Sequence, residues 1–278
     1  MTLAERGLNM TDTRALARRL RGHALRMTHL SRASHIGSCL SMADIMAVLY
    51  GAVLRLNPAR PAWPDRDRVI ISKGHAAAIV YATLAECGFL PIGELDQYSA
   101  DGGRLSGHVT MTVPGVELST GSLGHGLPVA CGMALAAQRA SAVWRSFCVL
   151  SDGELDEGSN WEAIQFAQRA RLDTLFAIVD YNKIQSFGTV AAVSDLHPLA
   201  DKFRAFNWGV TEIDGHDHPA LLTALSSGPI IPGRPTAIVA HTVKGKGVSF
   251  MENQLLWHYR NPDAAQLATA LAELEAGA

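Results

Sequence analysis

Residues 147–183 read FCVLSDGELDEGSNWEAIQFAQRARLDTLFAIVDYNK, and their pattern decides the fold. Phe147 to Leu150 and Leu175 to Asp180 are short apolar runs of the kind buried on both faces of a parallel sheet. The residues between them, Asn160 to Arg171, are helical in character, so the unit is strand, helix, strand. Asp152 and Asn182 lie thirty positions apart (182 − 152 = 30), each just past a strand, so the unit brings their side chains to adjacent strand ends. A carboxylate, an amide oxygen and a backbone carbonyl near Ile184 there make a hard-cation site, completed by phosphate oxygens of a ligand. Gly153 and Gly158 let backbone approach that ligand, and the helix starting near Ser159 directs its amino end the same way. Four acids, Asp152, Glu154, Asp156 and Glu157, crowd this turn, and the plain alternative for such a cluster is a solvated turn.

Working outward, Thr11 to Leu30 has helical periodicity, and Ser41-Met-Ala-Asp44 has the pattern of a capping box before IMAVLYGAVL, so the first sixty residues are expected to be helical. Further β-rich runs follow at Arg68–Ser72, Gly209–Ile213 and Thr236–His241, separated by helical stretches at His75–Glu86, Leu127–Arg139 and Pro219–Ser226. Strands alternating with helices predict an α/β fold, a parallel sheet with helices on both faces, whose ligands bind beyond the carboxyl ends of the strands. Four strands run directly into ISKGH, LSDGE, DYNKIQSFG and HTVKGKG, and the long loop Asp101–Gly126 is rich in glycine and carries histidines. The expected organisation is one domain over 1–278: a helical part at 1–60, an α/β core at 61–260 and a terminal helix after Asn261.

With 278 residues, 48% apolar content, 18% charged residues and a formal charge of -2, the chain is an ordinary globular protein with no electrostatic footprint for nucleic acid. No apolar run is long enough to span a membrane, and the amino terminus lacks a signal-type core, so the expectation is a cytoplasmic protein. Cys39, Cys87, Cys131 and Cys148 are scattered in apolar contexts and are expected to be reduced packing residues. Asp214, His216, Asp217 and His218, in DGHDHP, could supply metal ligands by type, but the stretch also reads as a strand-to-helix turn. Lys244 and Lys246, in KGKG, lack the pattern of a nucleotide-binding P-loop.

The 147–183 stretch resembles the thiamine diphosphate motif, and its segment Glu157 to Ala163 resembles the transketolase version of it. Five other stretches resemble transketolase in order: ASHIGSCLSMADIMAVLY, ISKGHAAAIVYA, TGSLGHGLPVACGMALA, HTVKGKG and LLWHYR, so the likeness covers Arg32 to Arg260. The resemblance implies thiamine diphosphate and Mg²⁺, with Ca²⁺ or Mn²⁺ as substitutes, held by Asp152, Asn182 and the Ile184 carbonyl. It implies that Gly153, His75 and His258 meet the diphosphate or the reacting centre, and that Gly121 and Leu123 hold the thiamine rings. Ser38 and Lys244 match further cofactor-side positions, His35 and His108 match histidines that bond sugar hydroxyls and move protons, and Glu157 and Glu162 match carboxylates of a subunit interface. Glu154 and Asp156 receive no role, which leaves them the solvated turn, and His23, His29, His197, His216 and His218 are read as capping or surface residues.

The implied reaction is transfer of a two-carbon ketol unit from a ketose phosphate to an aldose phosphate, each histidine being worth roughly 10²- to 10⁴-fold. Transketolases are more than twice this long, and the domain that clasps the pyrimidine is not in this chain. The expectation is therefore a separate carboxy-terminal subunit and an assembly of two copies of each. Ser151 and Tyr181 depart from the family pattern without removing a metal ligand; Ser34 and His125 depart as well, and the GHVT at Gly107–Thr110 points to an altered substrate pocket. A 2-oxo acid dehydrogenase α chain, a deoxyxylulose-phosphate synthase and a non-catalytic scaffold are the competing readings.

Overall fold

The structure is a computed structural model and describes residues 10–277. The amino-terminal stretch read above for a leader begins outside those residues, as does the start of the expected helical part. Five strands, β1 (Arg68–Ile71), β2 (Ser146–Ser151), β3 (Leu175–Tyr181), β4 (Gly209–Asp214) and β5 (Thr236–His241), form one parallel sheet in the order β1-β2-β3-β5-β4. The period-two alternation of side chains along each strand divides the interior into two cores. Phe147, Val149, Phe176, Ile178, Ile238 and Ala240 face one of them, while Cys148, Leu150, Ala177, Val179, Ala237 and Val239 face the other.

The first core is covered by α1 (Met10–Ser31), α2 (Ile36–Ser41), α3 (Ala43–Val48), α4 (Ala77–Glu86), α9 (His218–Ser226) and α10 (Ala264–Ala276). The second is covered by α5 (Gly126–Arg139), α6 (Gly158–Arg169) and α8 (Leu199–Ala205), with the short α7 (Val190–Val193) beside them. Asp217 caps α9 through its bond from Ala220 N, and Asp263 with Gln266 closes a capping box on α10. All four cysteines are buried, and none forms a disulfide. Among the described residues no helix is long and apolar enough to cross a membrane.

One local expectation is corrected. Ser41 does not open a helix; it ends α2, and Met42 precedes α3 without a side-chain cap. The reason is competition from tertiary partners: Ser41 Oγ donates to Asp180 at 2.6 Å and Asp44 is held by Arg21 at 2.6 Å. After β2 comes a 3₁₀ turn, Gly153–Asp156, and α6 begins at Gly158, in agreement with the helix start expected near Ser159.

Phe147 and Phe176 are paired in register on β2 and β3, and their rings stack with centroids 4.9 Å apart in the middle of the first core. Phe147→Ala would remove one ring and leave a cavity between sheet and helices. The expected loss is about 3–5 kcal/mol in urea unfolding, and a loss below about 1 kcal/mol would contradict this placement.

Candidate functional site

The parallel arrangement puts the ends of β1, β2, β3 and β5 on one edge, where a cavity of about 240 Å³ opens. Every residue that the family resemblance marks as a catalytic, cofactor or metal candidate lines it, whereas DGHDHP does not. His35 and Ser38 come from the start of α2, His75 from the turn after β1, and His108, Gly121 and Leu123 from the long loop. Asp152 and Gly153 follow β2, Asn182 and Ile184 follow β3, and Lys244 and His258 come from the segments after β5. Ser151, Gln185 and Ser186 line the cavity as well; they fall within LSDGE and DYNKIQSFG, but none had been assigned a role at the site. Glu157 and Glu162 stand outside it, exposed at the start of α6.

The register Ser151↔Asp180 sets the cation candidates side by side. Asp152 is buried; one oxygen accepts from Gly153 N at 2.8 Å and the other from Lys183 N, so the loop after β3 is tied to the end of β2. Burial and then the neighbouring Asp180 charge push its carboxyl up to about 6. Asn182 turns its nitrogen toward Asp180 and its oxygen toward Ile184 N, while the Ile184 carbonyl accepts from the Lys244 ammonium at 2.9 Å. A carboxylate whose charge lacks compensation, an amide oxygen and a carbonyl already facing positive charge are hard oxygen donors, and this set fits a cation of the Mg²⁺ type. Among the described residues no group of three or more His, Cys, Asp or Glu side chains is arranged to hold a metal, and in DGHDHP the His216 and His218 rings bond Asp44.

Opposite the acids stand four imidazoles. His35 lies 5.2 Å from His75, 5.9 Å from His108 and 5.0 Å from His258 between ring centroids. His35 adopts the left-handed region, φ 73°, and donates its backbone N–H to the His258 carbonyl at 3.0 Å, so a strained residue is pinned by the segment bearing its neighbour. Burial, then His108, Lys244 and Lys73, lowers His35 to about 4; burial, then Lys244 and His35, lowers His258 to about 3. His75 is also held well below the usual range, by burial and by Lys73. These three rings are neutral at pH 7, each with one donor and one acceptor nitrogen, a pairing suited to hydroxyl groups. His258 Nδ1 faces the Lys244 ammonium at 3.1 Å, which can only donate, so its proton sits on Nε2.

Gly121 has φ 151°, and a Cβ there would sit 2.8 Å from the His108 ring, so the loop passes this histidine with no room for a side chain. The glycine, the buried hydrogen-bonding groups and the oxygen set together fit a cofactor that carries a diphosphate and a flat ring.

Glu154 corrects the solvated-turn reading. It is fully buried, accepts from Ser72 Oγ, from Gly124 N at 3.0 Å and from Ser151 N at 3.3 Å, and so fastens the loop carrying Gly121 and Leu123 to the sheet edge. Asp156 is exposed, as expected for a solvated position. His216 and His218 are not surface groups either, since both bond the buried Asp44. Lys73 and Asp180, fully buried and paired beneath the cavity, were also missed; ISKGH and VDYNK contained them, but only the fold shows that they meet.

A parallel sheet with such a cavity at its carboxyl edge defines a cofactor-binding α/β domain of the diphosphate-holding kind. Residues 13–270 match the model of the family described as transketolase, thiamine diphosphate binding domain. The chain is 41% identical over 242 residues to the 6-deoxy-6-sulfo-D-fructose transketolase subunit SqwG of Clostridium sp. (strain MSTE9), covering 87% of this chain and 88% of that protein. It is 37% identical over 254 residues to an apulose-4-phosphate transketolase subunit of Phocaeicola vulgatus, covering 91% of this chain and 90% of that protein. Transketolase from Leishmania mexicana superposes with a TM-score of 0.91 at 30% identity, over 96% of this chain and 42% of that one. The chain belongs to the transketolase family, to its thiamine diphosphate binding domain, and spans about two-fifths of the solved transketolase.

The lowered His35 value makes acid destabilising. With an ordinary value of 6.5 and a folded value of about 4, the unfolded chain takes up a proton between those limits that the folded chain refuses. Stability supplied by the neutral ring is therefore present above 6.5 and is lost as pH falls through that window. His35→Asn should flatten the dependence of unfolding free energy on pH between about 4.5 and 6 by roughly 1 kcal/mol per pH unit. Parallel urea titrations of both proteins check this, and equal slopes would contradict it.

Proposed function

We propose that this chain is the diphosphate-binding subunit of a two-subunit transketolase that moves a two-carbon ketol unit from a ketose phosphate to an aldose phosphate. The observation that carries the reading is one cavity in which the oxygens of Asp152, Asn182 and Ile184 face the neutral His35, His75 and His258. Matches to two relatives named as transketolase subunits, over 88% and 90% of their lengths, support the division between chains.

In this reading Asp152, Asn182 and the Ile184 carbonyl would hold Mg²⁺, and Gly153, His75, Lys244 and His258 would contact the diphosphate whose charge such a cation offsets. Thiamine diphosphate, when bound, supplies the carbon nucleophile that takes up and delivers the two-carbon fragment. The protein's own share is binding and proton control. Ser38, Gly121 and Leu123 shape the cavity around the rings. His35 and His108 orient sugar hydroxyls, and a neutral imidazole at His35 or His258 can take a proton at its bare nitrogen as it gives up the one on the other nitrogen, so that no imidazolium persists in the cavity. Intact hydroxyl-binding histidines favour ketol transfer over 2-oxo acid chemistry.

The single domain over 1–278 pairs, in this proposal, with a separate subunit that carries the pyrimidine domain, and Glu157 and Glu162 meet a second copy in an assembly of two copies of each. The setting proposed is the cytoplasm, with sugar phosphates as substrates and no role for nucleic acid or membrane.

Calorimetry on the assembled enzyme tests the cation role. Asp152→Asn should weaken Mg²⁺-dependent binding of thiamine diphosphate at least about a hundredfold, because a charged ligand is replaced by a neutral one; wild-type affinity in that variant would sink the assignment. The division of labour is tested by turnover of the purified chain alone, expected to be undetectable until the partner is added. Robust activity without a partner would overturn the two-subunit reading.

A further inference from the structure

The DGHDHP turn between β4 and α9 lines no part of the cavity, yet it is tied to the segment that does. Gly215 N donates to the His241 carbonyl at 2.8 Å, and a Cβ at Gly215 would stand 3.2 Å from Ala240 Cβ and overlap the Thr242 side chain. The turn therefore abuts the end of β5. His216 extends the contact in two directions. Its Nδ1 lies 2.6 Å from Asp44 Oδ2, and its Nε2 accepts the backbone N–H of Val243 at 2.9 Å.

A backbone N–H only donates, so Nε2 is the bare nitrogen and Nδ1 carries the proton given to Asp44. Asp44 is itself fixed by Arg21 at 2.6 and 3.1 Å and by His218 at 3.1 Å, so the imidazole plane is set by helices of the first core. The next residue after Val243 is Lys244, whose ammonium bonds the Ile184 carbonyl and faces His258.

We propose that His216 is a positioning residue: its Nε2 is the acceptor that holds the Val243–Lys244 segment at the distance from which Lys244 serves the cofactor. The inference rests on the cofactor-side reading of Lys244 given above. The second ring nitrogen anchors the device to Asp44, so a rigid rod joins the amino-terminal helices to the cofactor edge without any member of DGHDHP touching the ligand.

Two amide variants separate the two bonds. His216→Asn keeps a donor where Nδ1 stands, and so keeps Asp44 partnered, but it is too short to reach Val243. His216→Gln reaches Val243 with its oxygen and gives up the donor to Asp44. Hydrogen exchange on the cofactor-free chain and calorimetry with thiamine diphosphate and Mg²⁺ on the two-subunit enzyme read them out. In His216→Asn the Val243 amide should exchange about tenfold faster and the cofactor dissociation constant should rise about five- to tenfold, with kcat at saturating cofactor within about twofold of the parent. His216→Gln should stay within about twofold of the parent in exchange and affinity.

Unchanged exchange and affinity in His216→Asn, or equal losses in both variants, would overturn the proposal. Lys244→Met separates this from the functional reading. If it leaves the dissociation constant unchanged, the assignment of Lys244 fails and the positioning role fails with it. If it raises the constant while His216→Asn does not, the positioning role alone is wrong.

Discussion

Asp180 is a fully buried carboxylate at the end of β3, and four other parts of the chain converge on it. Lys73 donates from the turn after β1, Ser41 from the end of α2, Thr242 from the end of β5 and Asn182 from the loop after β3 itself. Burial pushes the Asp180 carboxyl up, but the Lys73 charge and the hydrogen bonds from Lys73, Ser41 and Thr242 prevail and hold it below its usual value. A buried pair of this kind contributes little net stability relative to an apolar replacement, whereas removal of one partner strands a charge at a cost of about 3–5 kcal/mol. What the arrangement supplies is register. The elements bearing Ser38, His75, Asn182 and Lys244 are each one or two residues, or one turn, from a bond to this carboxylate.

The same pair sets the electrostatics above it. Lys73 is a fixed positive charge beneath the cavity, and Lys244 is a second, lowered to about 8 by burial and by Lys73. Positive charge together with desolvation keeps His35, His75 and His258 uncharged, while Asp152 is disfavoured as an anion by burial and by Asp180. The histidine side resists taking on another positive charge and the acid side calls for one. Oppositely perturbed groups that line one cavity are the pattern of a binding site rather than of a structural ion pair, and the proposed dication and diphosphate are of the charges each side calls for.

Glu154 and His216 belong to a second tier. Glu154 accepts backbone N–H groups on both oxygens and so fastens the glycine-rich loop to the ends of β1 and β2. Asp44 draws Arg21, His216 and His218 together on the far side of the first core. Glu154 and Asp152 collect backbone N–H groups that strand ends and loop starts leave unpaired, whereas Asp180 and Asp44 collect side-chain donors from distant elements.

Much of this was legible in the residues alone. Apolar runs of strand length separated by helical stretches specify a parallel sheet, and a parallel sheet puts all its carboxyl ends on one edge, so ISKGH, LSDGE, DYNK and HTVKGKG had to converge. Local order along the chain was enough to bring Asp152 to Asn182. Where pairings span distant elements, the sequence was silent. Ser41 looked like a helix cap because capping is a local rule, and only the packing of α2 against the sheet shows that Asp180 takes its hydroxyl. Glu154 looked solvated because a run of acids after a strand usually is, and its burial depends on Ser72, Gly124 and Ser151 being folded around it. Periodicity and spacing thus determined the sheet and the edge that carries the site, whereas tertiary packing decided which charges on that edge face solvent and which brace the cavity, since desolvation acts only once distant residues exclude water.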